Sequence, residues 1–164
     1  MIPIIKADDD SDGPIETIAP KISAQWIDGG RLIVIRSYTT SEDLYDQWDD
    51  WMRVLLDHWP IDRSFCVLYD VRDPRFGLSL PMGTKLRYLL ADYKQLHMYS
   101  AILTPNDKQK TAIAVVINTI QTYPTQTQKF FTDVDAAKDW LRSCFRTDLD
   151  GQIDRQMPDA SDTE

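Results

Sequence analysis

"SFCVLYDVRDPRFGLSLP", Ser64 to Pro81, is the stretch that decides the fold. Ser64 to Val71 is a short apolar run without polar alternation, as in a strand covered on both faces, and such strands belong to parallel sheets. From Asp70 the character changes: Arg72, Asp73 and Arg75 alternate in sign, and Ser79 stands between Leu78 and Leu80 just ahead of Pro81. Serine is a good helix cap and proline is tolerated in a first turn. The chain therefore leaves a strand, crosses a charged loop and enters a helix.

Upstream, "KISAQWIDGGRLIVIRSY" (21–38) has two β-rich runs around Asp28-Gly29-Gly30, predicting strands near 22–27 and 31–37 joined by a tight turn. In "TTSEDLYDQWDDWMRVLLDHWP" (39–60), Leu44, Trp48, Trp51, Met52, Leu55 and Trp59 make one helical stripe. Thr40 or Ser41 caps that helix, Pro60 ends it, and Asp46, Asp49, Asp50 and Asp57 are expected on a solvated face. Downstream, the spacing predicts a helix from Pro81 to His97 and a strand in "SAILTP" (100–105). "TAIAVVINTI" (111–120) is rich in β-branched residues, yet Ile113, Val116, Ile117 and Ile120 recur at helical spacing behind Asn106 or Asp107 as cap, so a helix is expected. "QKFF" (128–131) is a strand, and "TDVDAAKDWLRSCF" (132–145) an amphipathic helix with Thr132 or Asp133 as cap. The order β-β-α-β-α-β-α-β-α predicts an α/β fold, a mixed, mostly parallel five-stranded sheet with four helices.

The net charge of −8 over 164 residues is not spread evenly. Residues 1–20 carry −4 and residues 147–164 carry −5, leaving +1 on the body. We therefore expect a flexible acidic leader (1–20), one domain (21–146) and a disordered acidic tail (147–164). A near-neutral body lacks the clustered cations of a nucleic-acid surface. No apolar run reaches the roughly 20 residues that span a bilayer, and "MIPIIKADDD" has no basic region or long apolar stretch of a secretory signal, so a cytoplasmic protein is expected. Cys66 and Cys144 lack CxxC spacing and sit among apolar residues, as buried free thiols do. With only His58 and His97 besides, neither a metal site nor a cofactor is expected.

The order of elements, the strand exit "VLYDVRD" and the strand-to-helix passage "KFFTDVDAAKDWL" resemble the SpoIIAA-like family, which belongs with the STAS superfamily of anti-sigma-factor antagonists. The likeness spans about residues 21–145. It implies a bacterial α/β domain that acts by binding a protein partner in regulation or signalling; a homodimer is compatible with it. In phosphorylated STAS antagonists, the loop after the third strand and the start of the next helix carry a serine modified by a kinase. The corresponding region here is Asp70 to Thr84, which makes Ser79 the candidate phosphosite, although the usual Asp-Ser pair is absent.

In open α/β sheets ligands bind beyond the carboxyl ends of parallel strands, which directs attention to Asp70–Ser79 and Pro105–Lys108. Asp70, Arg72, Asp73, Arg75 and Ser79 are the candidate partner- or ligand-binding residues; Arg72 to Arg87 carries a net +3. A simpler arrangement has Arg72 and Arg75 paired with Asp70 and Asp73, and Ser79 capping the helix. No nucleophile, base and orienting acid share a recognisable spacing and no phosphate-binding glycine loop is present, so catalysis is not expected. Trp48 and Trp51 are candidates to line an apolar pocket, and the resemblance adds weight because the SpoIIAA-like fold is similar to lipid-binding CRAL-TRIO domains. A small apolar, lipid-like ligand is therefore the alternative to a protein partner, and an uncharacterised hydrolase the third reading.

Overall fold

The computed structural model describes residues 11–39, 41–105, 107–120 and 123–145. Its elements run β1 (Ile15–Ala19), β2 (Ile22–Ile27), β3 (Leu32–Ser37), α1 (Glu42–Asp57), β4 (Phe65–Asp70), α2 (Leu80–Asp92), β5 (Met98–Leu103), α3 (Asp107–Ile117), β6 (Gln126–Phe131) and α4 (Val134–Cys144). The sheet has six strands in the spatial order β1-β2-β3-β4-β5-β6. β1, β2 and β3 pair antiparallel, and β3 to β6 pair parallel.

The expectation of a mixed, mostly parallel five-stranded sheet is corrected in its strand count: the sheet is mixed, as expected, but has six strands. Ile15–Ala19, inside the stretch taken as a leader, pairs with β2. Its register shifts between Thr17 and Ala19, so Ile18 and Ala19 both pack against the core. That irregularity erases the two-residue alternation by which a half-buried strand is recognised. The β1–β2 turn is also uncharacteristic, since Lys21 takes φ 67° where glycine or asparagine is usual. Residues 1–10 and the tail 147–164 lie outside the described residues.

β4 is buried on both sides, as its apolar run demands. Phe65 and Val67 face the helices α1, α2 and α3, together with Ile33, Ile35, Met98 and Ile102. Cys66 and Leu68 face the opposite side, with Val34, Leu103 and the α4 residues Ala137 and Leu141. Each such side chain taken from water contributes about 1.5–3 kcal/mol. The result is three layers: three helices, the sheet, and α4 alone beneath β4–β6. Cys66 is buried and Cys144 half-buried, and neither is in a disulfide among the described residues.

The acidic side of α1 is not simply solvated. Asp46 pairs with Lys85, Arg53 bridges Asp49 (2.9 Å) and Asp92 (2.7 Å), and the Tyr93 hydroxyl donates to Asp57 Oδ1 at 2.5 Å. These contacts make a polar seam between α1 and the α2 segment. α2 ends at Asp92 rather than near His97, because the chain turns to bury Tyr93 and Leu96. α3 is helical, so the 3.6-residue spacing of its isoleucines outweighs their β-branched character.

Candidate functional site at the carboxyl end of the sheet

Because β3 to β6 are parallel, Ser37, Asp70, Leu103 and Phe131 end at one side of the sheet. The β4–α2 loop, residues 71–79, crosses this end. Arg72 Nε and Nη2 donate to the two carboxylate oxygens of Asp70 at 2.9 and 2.8 Å, and Arg72 N donates to Oδ1 at 3.3 Å. Arg75 repeats the pattern on Asp73, with Nε and Nη2 both at 2.8 Å and the backbone N at 2.9 Å. Two bidentate forks over a two-residue spacing fix the loop's curvature. Burial pushes the Asp70 carboxyl up, but the side-chain and backbone hydrogen bonds from Arg72 outweigh it and leave it below its ordinary value, with Arg36 adding to the effect. Asp73 is held down to about 2, chiefly by the Arg75 side chain and then by its backbone N–H. Gln109 of α3 donates to the carbonyls of Val71 (3.0 Å) and Asp73 (3.4 Å), tying the loop to its neighbour.

Ser79 is the N-cap of α2: its Oγ accepts from Met82 N at 3.3 Å and lies 3.5 Å from Glu42 Oε1, to which it donates. All five loop residues singled out from the sequence thus sit together, and their charges are satisfied locally. The guanidinium groups remain accessible, with the Arg75 side chain 68% exposed. Beside them Leu80 is 67% exposed, and Arg75 lies 5.9 Å above the ring of Tyr38.

Beneath the loop lies a cavity of about 90 Å³ between the inner sheet face and α1, α2 and α3. Trp48 lines it, with Tyr45, Tyr69 and Phe76 forming a chain of edge-to-face ring contacts around Trp48 and Tyr45 at centroid distances of 6.2–6.5 Å. The expectation that Trp51 also lines a pocket is corrected: Trp51 does not reach the cavity, and its Nε1 donates to Glu16 Oε1 on β1 at 3.4 Å. The strand missed in the sequence is what claims that indole. Sequence reasoning also missed Tyr69, Ser100 and Gln128, which bring polar groups to the cavity wall. Strand alternation could have found them, since Val67 and Tyr69 share a face, as do Gln126, Gln128 and Phe130. Burial pushes the Tyr45 hydroxyl up to about 12 against the lowering effect of its Ser37 hydrogen bond (3.0 Å), and burial pushes Tyr69 well above the ordinary tyrosine value.

His97 precedes β5 and its carbonyl accepts from Phe65 N at 2.8 Å, at the amino end of the strands. His58 follows α1 at that same end, its ring bonded to the Val54 carbonyl at 2.8 Å. Asp70 closes β4, so a six-residue strand, about 17–20 Å, separates it from either histidine. Asp70 therefore forms no relay with either histidine. Among the described residues, no group of three or more His, Cys, Asp or Glu side chains is placed to hold a metal ion, and no helix is long and apolar enough to cross a membrane.

No protein-family model matches the chain, and no curated protein matches it. Among solved structures it is similar to an uncharacterised protein of the DUF3478 family with a SpoIIAA-like fold from Shewanella loihica. The TM-score is 0.50 at 18% identity, covering 83% of this chain and 99% of that one. Six strands in sequential order, three helices on one face and one on the other, with a charged loop at the carboxyl end of β4, thus constitute a SpoIIAA-like α/β fold.

Proposed function

We propose that the chain is a non-catalytic SpoIIAA/STAS-like domain that binds a protein partner in bacterial, cytoplasmic regulation or signalling, through the β4–α2 loop and the first turn of α2. The observation that supports this is the loop itself: Asp70–Arg72 and Asp73–Arg75 are pre-paired, yet the guanidinium faces and Leu80 stay exposed. A surface already ordered before docking loses little conformational entropy on binding. The resemblance makes Ser79 the candidate phosphosite; a phosphate there would gain from the helix N-terminus but face Glu42.

The test is capture from native bacterial lysate with the wild-type chain, the Arg72→Glu/Arg75→Glu double variant, and Leu80→Asp, which leaves both forks intact. Both variants should lose the specific interactor while their circular dichroism melts stay within a few degrees of wild type. An interactor set unchanged in both removes the surface from consideration. Mixing tagged and untagged chains in the same experiment tests a second copy as the partner.

A second reading, a carrier or sensor of a small apolar ligand, is favoured by the cavity lined by Trp48. It predicts a co-purifying small molecule in native mass spectrometry that denaturation releases.

A further inference from the structure

The cavity's size and its polar atoms say more about what it would hold. Its volume, about 90 Å³, is smaller than the roughly 150 Å³ of an engineered cavity that takes up benzene. The enclosed part therefore suits about four or five heavy atoms, and any longer ligand must leave through the half-exposed margin at Leu78 and Leu86. Most of the wall is aliphatic or aromatic: Leu89, Leu90, Ile102, Ile113 and Ile117 contribute no polar side-chain atom.

Of the wall residues that do, three sit on the neighbouring strands β4, β5 and β6. Gln128 Oε1 is buried with no hydrogen-bond partner among the described residues. Tyr69 approaches from β4, and Ser100, which pairs with Gln128 in the β5–β6 register, lies between them in strand order. A buried acceptor without a partner is costly, and a ligand hydroxyl would recover part of that cost. An anion would not, because an amide oxygen repels it. The nearest cation, Lys85 at the margin, is already neutralised by Asp46. Burial keeps the Tyr45 and Tyr69 hydroxyls protonated, so they too are neutral at physiological pH.

Resting on the second reading above, we propose that this cavity is a binding site for a small neutral molecule with a compact aliphatic body and one hydroxyl group, the hydroxyl donating to Gln128 Oε1. The site excludes carboxylates and holds no long acyl chain within its walls.

The test uses the full chain and three probes of nearly matched skeleton: isobutanol, isopentane and isobutyrate, followed by methyl and indole NMR shifts, with Gln128→Leu as the variant. Isobutanol should shift the signals of Trp48 and Ile113 saturably, and its affinity should fall about tenfold in Gln128→Leu, the worth of one recovered hydrogen bond. Isobutyrate should give no saturable shift. Isopentane, which cannot donate, should bind the wild type and Gln128→Leu about equally. An isobutanol affinity that is the same in the wild type and Gln128→Leu overturns the hydroxyl assignment and leaves the apolar-ligand reading standing. Tighter binding of isobutyrate overturns the neutral class. If none of the probes shifts these signals, the cavity holds only water, and both this proposal and the reading beneath it fail.

Discussion

Gly83 sits one turn into α2, and a Cβ built on it would lie 2.5 Å from Val116 Cγ1 of α3. Ordinary contact begins near 3.4 Å, so Gly83→Ala requires a displacement of about 1 Å. Val116 cannot easily supply it: the residue is buried, and β-branched side chains in helices have one strongly preferred χ1. Either Val116 leaves its rotamer, at about 0.5–1.5 kcal/mol, or α3 moves as a body, and overpacking of this sort costs about 1–3 kcal/mol. Against this stands the helix propensity of alanine over glycine, a gain of about 1 kcal/mol. The net expectation is a loss of about 1 kcal/mol in the wild-type background. With Val116→Ala already present the clash is gone, and the same substitution should stabilise by about 1 kcal/mol. The coupling between the two sites is then about 2 kcal/mol, within the range for residues in contact. Equilibrium urea denaturation of the four proteins of the cycle, with a constant m-value, measures it. If Gly83→Ala has the same effect in both backgrounds, the close α2–α3 approach is wrong. Met82 and Ile113 flank this contact and line the cavity, so the spacing that Gly83 permits is also the width of the candidate ligand site.

Three shorter predictions concern the loop, the new strand and the tryptophans. The Asp73 carboxyl is held down to about 2 by Arg75, so it contributes stability above its unfolded value near 4 that is lost as pH falls through about 2; the midpoint difference between wild type and Asp73→Asn should be constant from pH 5 to 7 and close between pH 4 and 2, and a gap as wide at pH 2.5 as at neutrality would refute the pairing. Lys21 at φ 67° is left-handed, a conformation costing an L-residue about 1–2 kcal/mol, so thermal midpoints should fall in the order Lys21→Gly at or above wild type, and wild type above Lys21→Val; a reversed order would count against the turn. Trp48→Ala should cost about 3–5 kcal/mol as a buried aromatic truncation, and half-buried Trp51→Ala clearly less; equal losses in urea would contradict the division of the two indoles between cavity and β1.

What was legible in the sequence follows from how regular each element is. β4 announced itself because a strand with Phe65 and Val67 on one side and Cys66 and Leu68 on the other needs apolar residues without a break. α3 was legible for the opposite reason, four apolar residues at spacing three and four despite their β-branched chemistry. β1 was not, since its bulge puts Ile18 and Ala19 on the core side in succession while Ile15 is exposed, and its turn uses Pro20-Lys21 instead of a glycine pair. The local pairing of Arg72 and Arg75 was foreseeable because both partners lie two residues away. Of the cavity only the Trp48 side was foreseeable; its wall at Tyr69, Ser100 and Gln128 was not, because those residues come together from strands remote in sequence.

The loop that separates the two candidate surfaces belongs to both. Phe76 and Leu78 line the cavity, while Arg72, Arg75 and Leu80 face outward, and Ser79 between them caps α2. A ligand that displaces Leu78 therefore acts one residue from the cap and two from the exposed leucine. If occupancy changes partner affinity by any factor, linkage requires that the partner change ligand affinity by the same factor. The forks bear on how such a change would travel: with each arginine fixed to an aspartate and Gln109 fixed to the loop carbonyls of Val71 and Asp73, the segment has little freedom to absorb a shift locally. Displacement at Leu78 should instead appear as a tilt of the first turn of α2, which carries the exposed Leu80 of the proposed partner surface. Isobutanol should then alter partner affinity in the wild type, and lose that effect in Gln128→Leu at concentrations that leave its cavity empty. An isobutanol effect that persists there would place the coupling outside the cavity.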